Sequence, residues 1–137
     1  MAADAAHALT STATIWHLTL TADWDAALAT GTYAVSTRGL TIEQVGFIHC
    51  AYAHQVAGVV ALFYADETAP LTLLGIDTER LAATGIEVRD EPGDPAHPDG
   101  ERFPHVYGAI PMDAVSETHP GQIHAGELVA PSWSSRG

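Results

Sequence analysis

Apolar and polar positions alternate cleanly from Thr14 to Leu20. Ile15, His17 and Thr19 share one side, and Trp16, Leu18 and Leu20 share the other. A period of two over seven residues predicts a strand. Thr21 then reads as a helix cap, with Asp23 and Asp25 in the first turn, where the positive end of the helix dipole favours them. Trp24, Ala27 and Leu28 form the apolar stripe of a short helix over residues 22–30, and Gly31 is the expected terminator. Residues 32–36 predict a second strand, and residues 37–45 a polar connection. Residues 46–50 predict a very short third strand. Over residues 52–64, Ala53, Val56, Ala57, Val60 and Ala61 recur with helical spacing, which makes this the best helix in the chain.

The run from residue 71 to 76 is almost continuously apolar, as befits a central strand. A short helix over 78–84 ends at Gly85. Residues 86–89 form a strand pattern in which Glu87, Arg89 and Glu91 share one parity. Residues 92–100 hold three prolines and two glycines and predict a mobile loop. Structure resumes at 103–108, continues as a strand over 109–118, and closes with an edge strand over 122–129. Strands outnumber helices, and the helices cluster in the N-terminal half without strict βαβ alternation. The fold class is therefore α+β. Residues 14–130 read as a single domain, preceded by a disordered lead-in over 1–13 and followed by a flexible tail over 131–137.

Charge narrows the partners. The 137 residues include 17 acidic and 5 basic side chains, a formal net charge of -12. Phosphate backbones and anionic membrane surfaces call for Lys and Arg, so neither nucleic acid nor membrane is expected as a partner. A small-molecule substrate is. No apolar run reaches the ~18 residues of a membrane span. The N-terminal stretch lacks a basic segment followed by an apolar one, so no signal peptide is read there. The single cysteine, Cys50, permits no internal disulfide. Together these predict a cytoplasmic protein. The composition is silent on oligomeric state.

Candidate chemistry lies in three histidines set among aromatic and aliphatic neighbours: His17, His49 and His105. Such groups move protons near neutral pH. His49 and Cys50 are adjacent, so on a strand they point to opposite faces. With His49 toward a pocket, Cys50 is a buried, unreactive thiol. Glu91 reads either as an orienting carboxylate or as a solvated turn residue before Pro92. His17 reads either as a pocket residue or as a polar residue on a solvated face. No helical His-x-x-x-His and no Cys-x-x-Cys is present, so no metal site is assigned. Phosphate-binding glycine loops and the Gly-x-Ser-x-Gly nucleophile motif are absent as well.

Four motifs occur in order: Ile15-Trp16-His17-Leu18-Thr19, Tyr33-x-x-Ser36, Gly46-Phe47-Ile48-His49-Cys50 with Gln55, and Phe103-Pro104-His105-Val106-Tyr107-Gly108. Together they resemble the bacterial family called domain of unknown function 952. The resemblance implies a fold similar to that of ADP-ribosyltransferases, with split, mostly antiparallel sheets gripping NAD. It implies that His17 holds a ribose and that Glu91 faces the reacting sugar carbon. The residues themselves offer His49 and His105 as catalytic acid–base groups, with Tyr33, Ser36, Gln55 and Tyr107 lining the substrate site. Arg38 is the one basic residue suited to a pyrophosphate. The chain departs from toxin-type transferases in lacking Glu-x-Glu or Gln-x-Glu. Two enzyme readings follow: one acting on NAD or a related nucleotide, and one doing NAD-independent acid–base work as a lyase, isomerase or cyclase. A non-catalytic small-molecule binding module is the third.

Overall fold

The computed structural model describes residues 14–133. The lead-in predicted over 1–13 and the end of the predicted tail, 134–137, lie outside the described residues. The chain begins with β1 (Thr14–Leu20), α1 (Thr21–Thr30), β2 (Thr32–Tyr33), β3 (Val35–Thr37), β4 (Leu40–Thr41) and α2 (Ile42–Val45). It continues with β5 (Ile48–His49), a 3₁₀ turn (Ala53–Gln55), α3 (Val56–Phe63), β6 (Leu71–Asp77) and α4 (Thr78–Ala83). The last part holds β7 (Glu87–Pro92), β8 (Arg102–Tyr107), β9 (Ile110–Pro111), a 3₁₀ turn (Met112–Ala114), β10 (Val115–His124) and β11 (Glu127–Val129).

The α+β expectation holds. Among the described residues every strand pairing is antiparallel, in a four-stranded sheet β1-β6-β10-β11, a three-stranded sheet β5-β8-β7 and two small ribbons. Trp16 and Ala51 join the two larger sheets through reciprocal backbone hydrogen bonds of 2.8 and 2.7 Å. The chain just after β5 thereby lies against β1.

β6 is continuously apolar because both of its faces are covered. Leu74 and Ile76 pack with Ile15, Ile48 and Val106 on one side; Leu71 and Leu73 pack with Trp16, Val56 and Val60 on the other. Gly75 sits between Trp16 and Glu117, its register partners on β1 and β10. An added Cβ would lie 2.6 Å from Glu117 Cγ and 2.9 Å from the Trp16 ring. Gly75→Ala is therefore expected to destabilise the protein by about 1–3 kcal/mol, the usual cost of overpacking. Urea denaturation would read this directly, and an unchanged midpoint would contradict the packing.

Several local expectations are corrected. Thr21 does not cap α1; it is the first helical residue, and its hydroxyl meets that of Thr72 on β6 at 2.9 Å. Leu28 is exposed rather than buried. The helix expected over 52–64 opens instead as a 3₁₀ turn over Ala53–Gln55, where the Gln55 side chain folds back to accept from Tyr52 N–H at 3.0 Å. The connection over 37–45 contains α2, started by a reciprocal Thr41–Gln44 capping box. The strand expected over 109–118 is interrupted at Pro111, after which the 3₁₀ turn carries Ala114 into the core. Residues 92–100 carry local hydrogen bonds: Asp94 accepts from Ala96 N–H and from the His97 ring, and Gly93 N–H reaches Glu101 O. In the predicted tail, Trp133 packs edge-on against Trp16, with ring centroids 5.4 Å apart.

Candidate active site

Strand parity assembles the site. His49 on β5 lies directly opposite His105 on β8, which lies opposite Arg89 on β7. Side chains two apart on a strand share a face. One face of this sheet therefore carries His49, then Phe103, His105 and Tyr107, then Glu87, Arg89 and Glu91. The other face carries Ile48 and Val106, both fully buried in the core. β7 runs on to Pro92, which places Glu91 within the sheet rather than in a turn.

On this face Glu91, His105 and His49 form a chain. The Glu91 carboxylate accepts at Oε1 from His105 Nδ1–H at 2.9 Å and from the Tyr107 hydroxyl at 2.5 Å. His105 Nε2 is left as an acceptor, and it receives His49 Nδ1–H at 3.2 Å. His49 Nε2 then remains, with no hydrogen bond to any described residue. Phe47 stacks on the His105 ring at 4.0 Å and 14°, and Phe103 lies tilted against His49 at 5.0 Å.

Burial fixes the charge states. Desolvation holds His49 down to about 4, and the neighbouring His105 adds to this. His105 is also lowered by burial, against the opposing pull of Glu91. For Glu91, burial pushes upward, but the hydrogen bonds from Tyr107 and His105 outweigh it and keep the carboxyl below its usual value. Near neutral pH the chain is an ionised carboxylate followed by two neutral imidazoles.

Two pockets flank the histidine pair. One, about 320 Å³, is lined by His49, Leu62, Phe63, Phe103, His97 and Glu101 among others. The other, about 260 Å³, is lined by Phe47, Glu91, His105, Tyr107 and Pro95. Gly93 borders both. A larger groove of about 650 Å³ between α3 and the β10–β11 hairpin has Glu127 as its only ionisable lining residue, so it offers little chemistry.

The remaining candidate residues have other places. His17 does not reach either pocket. It is 4% exposed, its Nδ1–H donates to the His49 carbonyl at 2.7 Å, and its Nε2 accepts the Tyr33 hydroxyl at 2.7 Å. Burial lowers it to about 4, so it stays neutral. Tyr33 is fully buried, and burial pushes its hydroxyl well above the ordinary tyrosine range. Ser36 is 1% exposed, and its hydroxyl has no partner among the described residues. Arg38 pairs with Glu67 at 2.7 Å and Asp66 at 3.2 Å and covers the Tyr64 ring, lining neither pocket. Gln55 is buried and its amide is used within the fold: Nε2 donates to Glu101 Oε2 at 3.0 Å and to Arg102 O at 2.7 Å. It ties the end of the 93–101 loop to α3. Cys50 is buried, and desolvation raises its thiol far above the ordinary range.

Sequence reasoning did not pick out Phe47, Phe103, Leu62 and Phe63, which wall the pockets. It also missed the brace in which the Tyr52 hydroxyl and Arg102 hold Asp90 at 2.7 and 3.2 Å. Phe47 was legible in principle, lying two residues before His49 on the same strand parity. Among the described residues, no group of three or more His, Cys, Asp or Glu side chains is disposed to hold a metal ion. None of the described helices is long and apolar enough to cross a membrane.

The fold and site thus define a small α+β protein with split antiparallel sheets and a largely buried carboxylate–imidazole–imidazole chain beside two pockets. It belongs to the family described as protein of unknown function DUF952, whose model matches residues 18–118. The crystal structure of protein CC0527 from Caulobacter crescentus is similar, with 26% identity and a TM-score of 0.69 over 85% of this chain and 93% of that one. The solution structure of the same protein is similar at 25% identity and a TM-score of 0.64, over 84% and 90% of the two chains. No curated protein matches.

Proposed function

We propose that this protein is an acid–base enzyme acting on a small molecule, with His49 Nε2 as the group that exchanges a proton with substrate. The observation that carries this reading is the chain Glu91–His105–His49, which ends at an unbonded imidazole nitrogen on a residue lining a pocket. An isolated imidazole held near 4 is a weak base at neutral pH. The chain changes that. When Nε2 takes a proton from substrate, the Nδ1 proton passes to His105 Nε2. The positive charge then rests on His105, against the Glu91 carboxylate. The reverse sequence returns the proton to product. Isomerisation, elimination and cyclisation all need this two-way traffic.

The reading is tested by incubating the protein with a small-molecule extract in D₂O and following masses. Deuterium is expected to enter a compound with the wild type and not with His49→Gln, whose thermal melt serves as the folding control. If no compound gains mass, the proposal fails.

The second reading is ADP-ribosyl chemistry on NAD in an ADP-ribosyltransferase-like cleft. The observation in its favour is Glu91 lining a pocket beside split antiparallel sheets. Against it, no Lys or Arg lines either pocket to receive a pyrophosphate, and the Glu91 oxygen nearest the histidines is already held twice. Calorimetric titration with NAD separates the two: saturable heat would favour the nucleotide, and its absence would favour the proton-transfer chemistry.

A further inference from the structure

We infer that the substrate of this site carries a primary amine or similar cationic head on an apolar body, the head seated beside Glu91 and the body beside His49. The inference rests on the acid–base reading of the same site and adds its ligand class.

The two pockets differ in character. The one beside His49 has Leu62, Phe63 and Phe103 as walls, and Leu62 and Phe63 are 75% and 50% exposed. Large apolar side chains this open at a pocket mouth suit an apolar ligand. The pocket beside Glu91 is smaller and is lined by Phe47 and Tyr107. There Glu91 uses only Oε1 for His105 and Tyr107; among the described residues nothing donates to Oε2. An ionised carboxylate with an unused oxygen, flanked by aromatic rings, favours a cationic donor.

Charge elsewhere points the same way. The ionisable groups lining the two pockets are His49, His97, His105, Asp94, Glu101, Glu91 and the Tyr107 phenol. The arginines on the neighbouring strands are committed: Arg89 to Glu87 at 2.9 Å and to the face of the Tyr107 ring at 4.4 Å, and Arg102 to Asp90. No Lys or Arg lines either pocket, so a carboxylate or phosphate on the ligand would meet Asp94, Glu101 and Glu91, while Arg89, the cation acting on Glu91, is held by Glu87 and the Tyr107 ring. Gly93 borders both pockets and His49 is hydrogen-bonded to His105, so the proposed head and body sites adjoin the histidine pair.

The probes are 3-phenylpropylamine and 3-phenylpropanoate, of nearly equal shape and opposite charge. Each is titrated into isotope-labelled protein at pH 7.5 and followed by backbone amide shifts. The amine is expected to bind at least about tenfold tighter, one factor of ten being about 1.4 kcal/mol. Shifts are expected at Phe47, Gly93 and Tyr107. Glu91→Gln should remove the preference. The inference is overturned if the carboxylate binds as well as the amine, if neither binds, or if a folded Glu91→Gln keeps the preference. The wild-type comparison stands even where that variant fails to fold. Deuterium exchange found only on an anionic compound would overturn this inference and leave the acid–base reading intact. Amine binding without any exchange would do the reverse.

Discussion

Replacing His17 with alanine is expected to cost about 4 kcal/mol of stability and to lower the melting temperature by on the order of 10 °C or more. The side chain is a buried strut between the sheets: one ring nitrogen holds the His49 backbone carbonyl and the other holds the Tyr33 hydroxyl. Its removal leaves the His49 carbonyl without this donor, at about 1–3 kcal/mol, takes from the Tyr33 hydroxyl one of its partners, Thr19 remaining, and opens a cavity as well. Tyr33→Phe takes a partner from His17 Nε2 and from Thr19 but leaves the His49 carbonyl held and little cavity, and should cost less. The double variant His17→Ala/Tyr33→Phe should cost less than the sum of the two single changes, because the pair is then removed together. A melting temperature unchanged in His17→Ala would refute this role. The consequence for function is direct. Since His17 positions the β5 strand that bears His49, a ligand lost on His17→Ala is no evidence of a ribose contact. Chemical denaturation has to accompany any such experiment.

How the chain reads in advance follows from what each signal encodes. The alternation around His17 reports a strand, and a strand forms there. It does not report whether the second face meets solvent or a second sheet, and here Ile15, His17 and Thr19 are all buried. The unbroken apolar run of β6 does carry that information, because only a strand covered on both faces needs it. The shared parity of Glu87, Arg89 and Glu91 is visible in the sequence, as are the flanking motifs of His49 and His105. Their convergence depends on β5 and β7 both pairing with β8, a long-range register that no local pattern specifies. Ser36, Arg38 and Gln55 show the opposite case. Each sits near a recognisable motif, yet burial or a partner distant in sequence decides its role. Arg38 finds Asp66 and Glu67 some 28 and 29 residues on. The capping box at Thr41 and Gln44 was legible as Thr-x-x-Gln and would have located α2.

Stability is expected to fall steeply as pH drops from about 6.5 toward 4. The sign follows from the two buried histidines. His17 and His49 are both held down to about 4 in the fold, while the unfolded chain titrates near 6.5. Between these values the unfolded chain binds protons that the native state refuses, so stability rises with pH across the window. The stabilisation is fully present above 6.5 and is lost as pH falls through the folded values. Each histidine contributes a slope of up to about 1.4 kcal/mol per pH unit, so the pair removes on the order of 5 kcal/mol across the window. His105, also lowered, acts in the same direction. That loss is comparable with the whole stability of many small domains, about 5–15 kcal/mol. Below about 4.5 the carboxylates of Glu91 and Glu67, both lowered, add a further loss as they protonate. Urea midpoints measured at half-unit steps from pH 7.5 to 4.5 would trace the curve. His49→Gln should reduce the slope by close to half while leaving the His17 contribution in place. A midpoint flat from pH 6.5 to 4.5 would mean that these imidazoles are solvated in the native protein. That result would remove the buried strut and the desolvated proton chain together, since both depend on histidines kept neutral by burial.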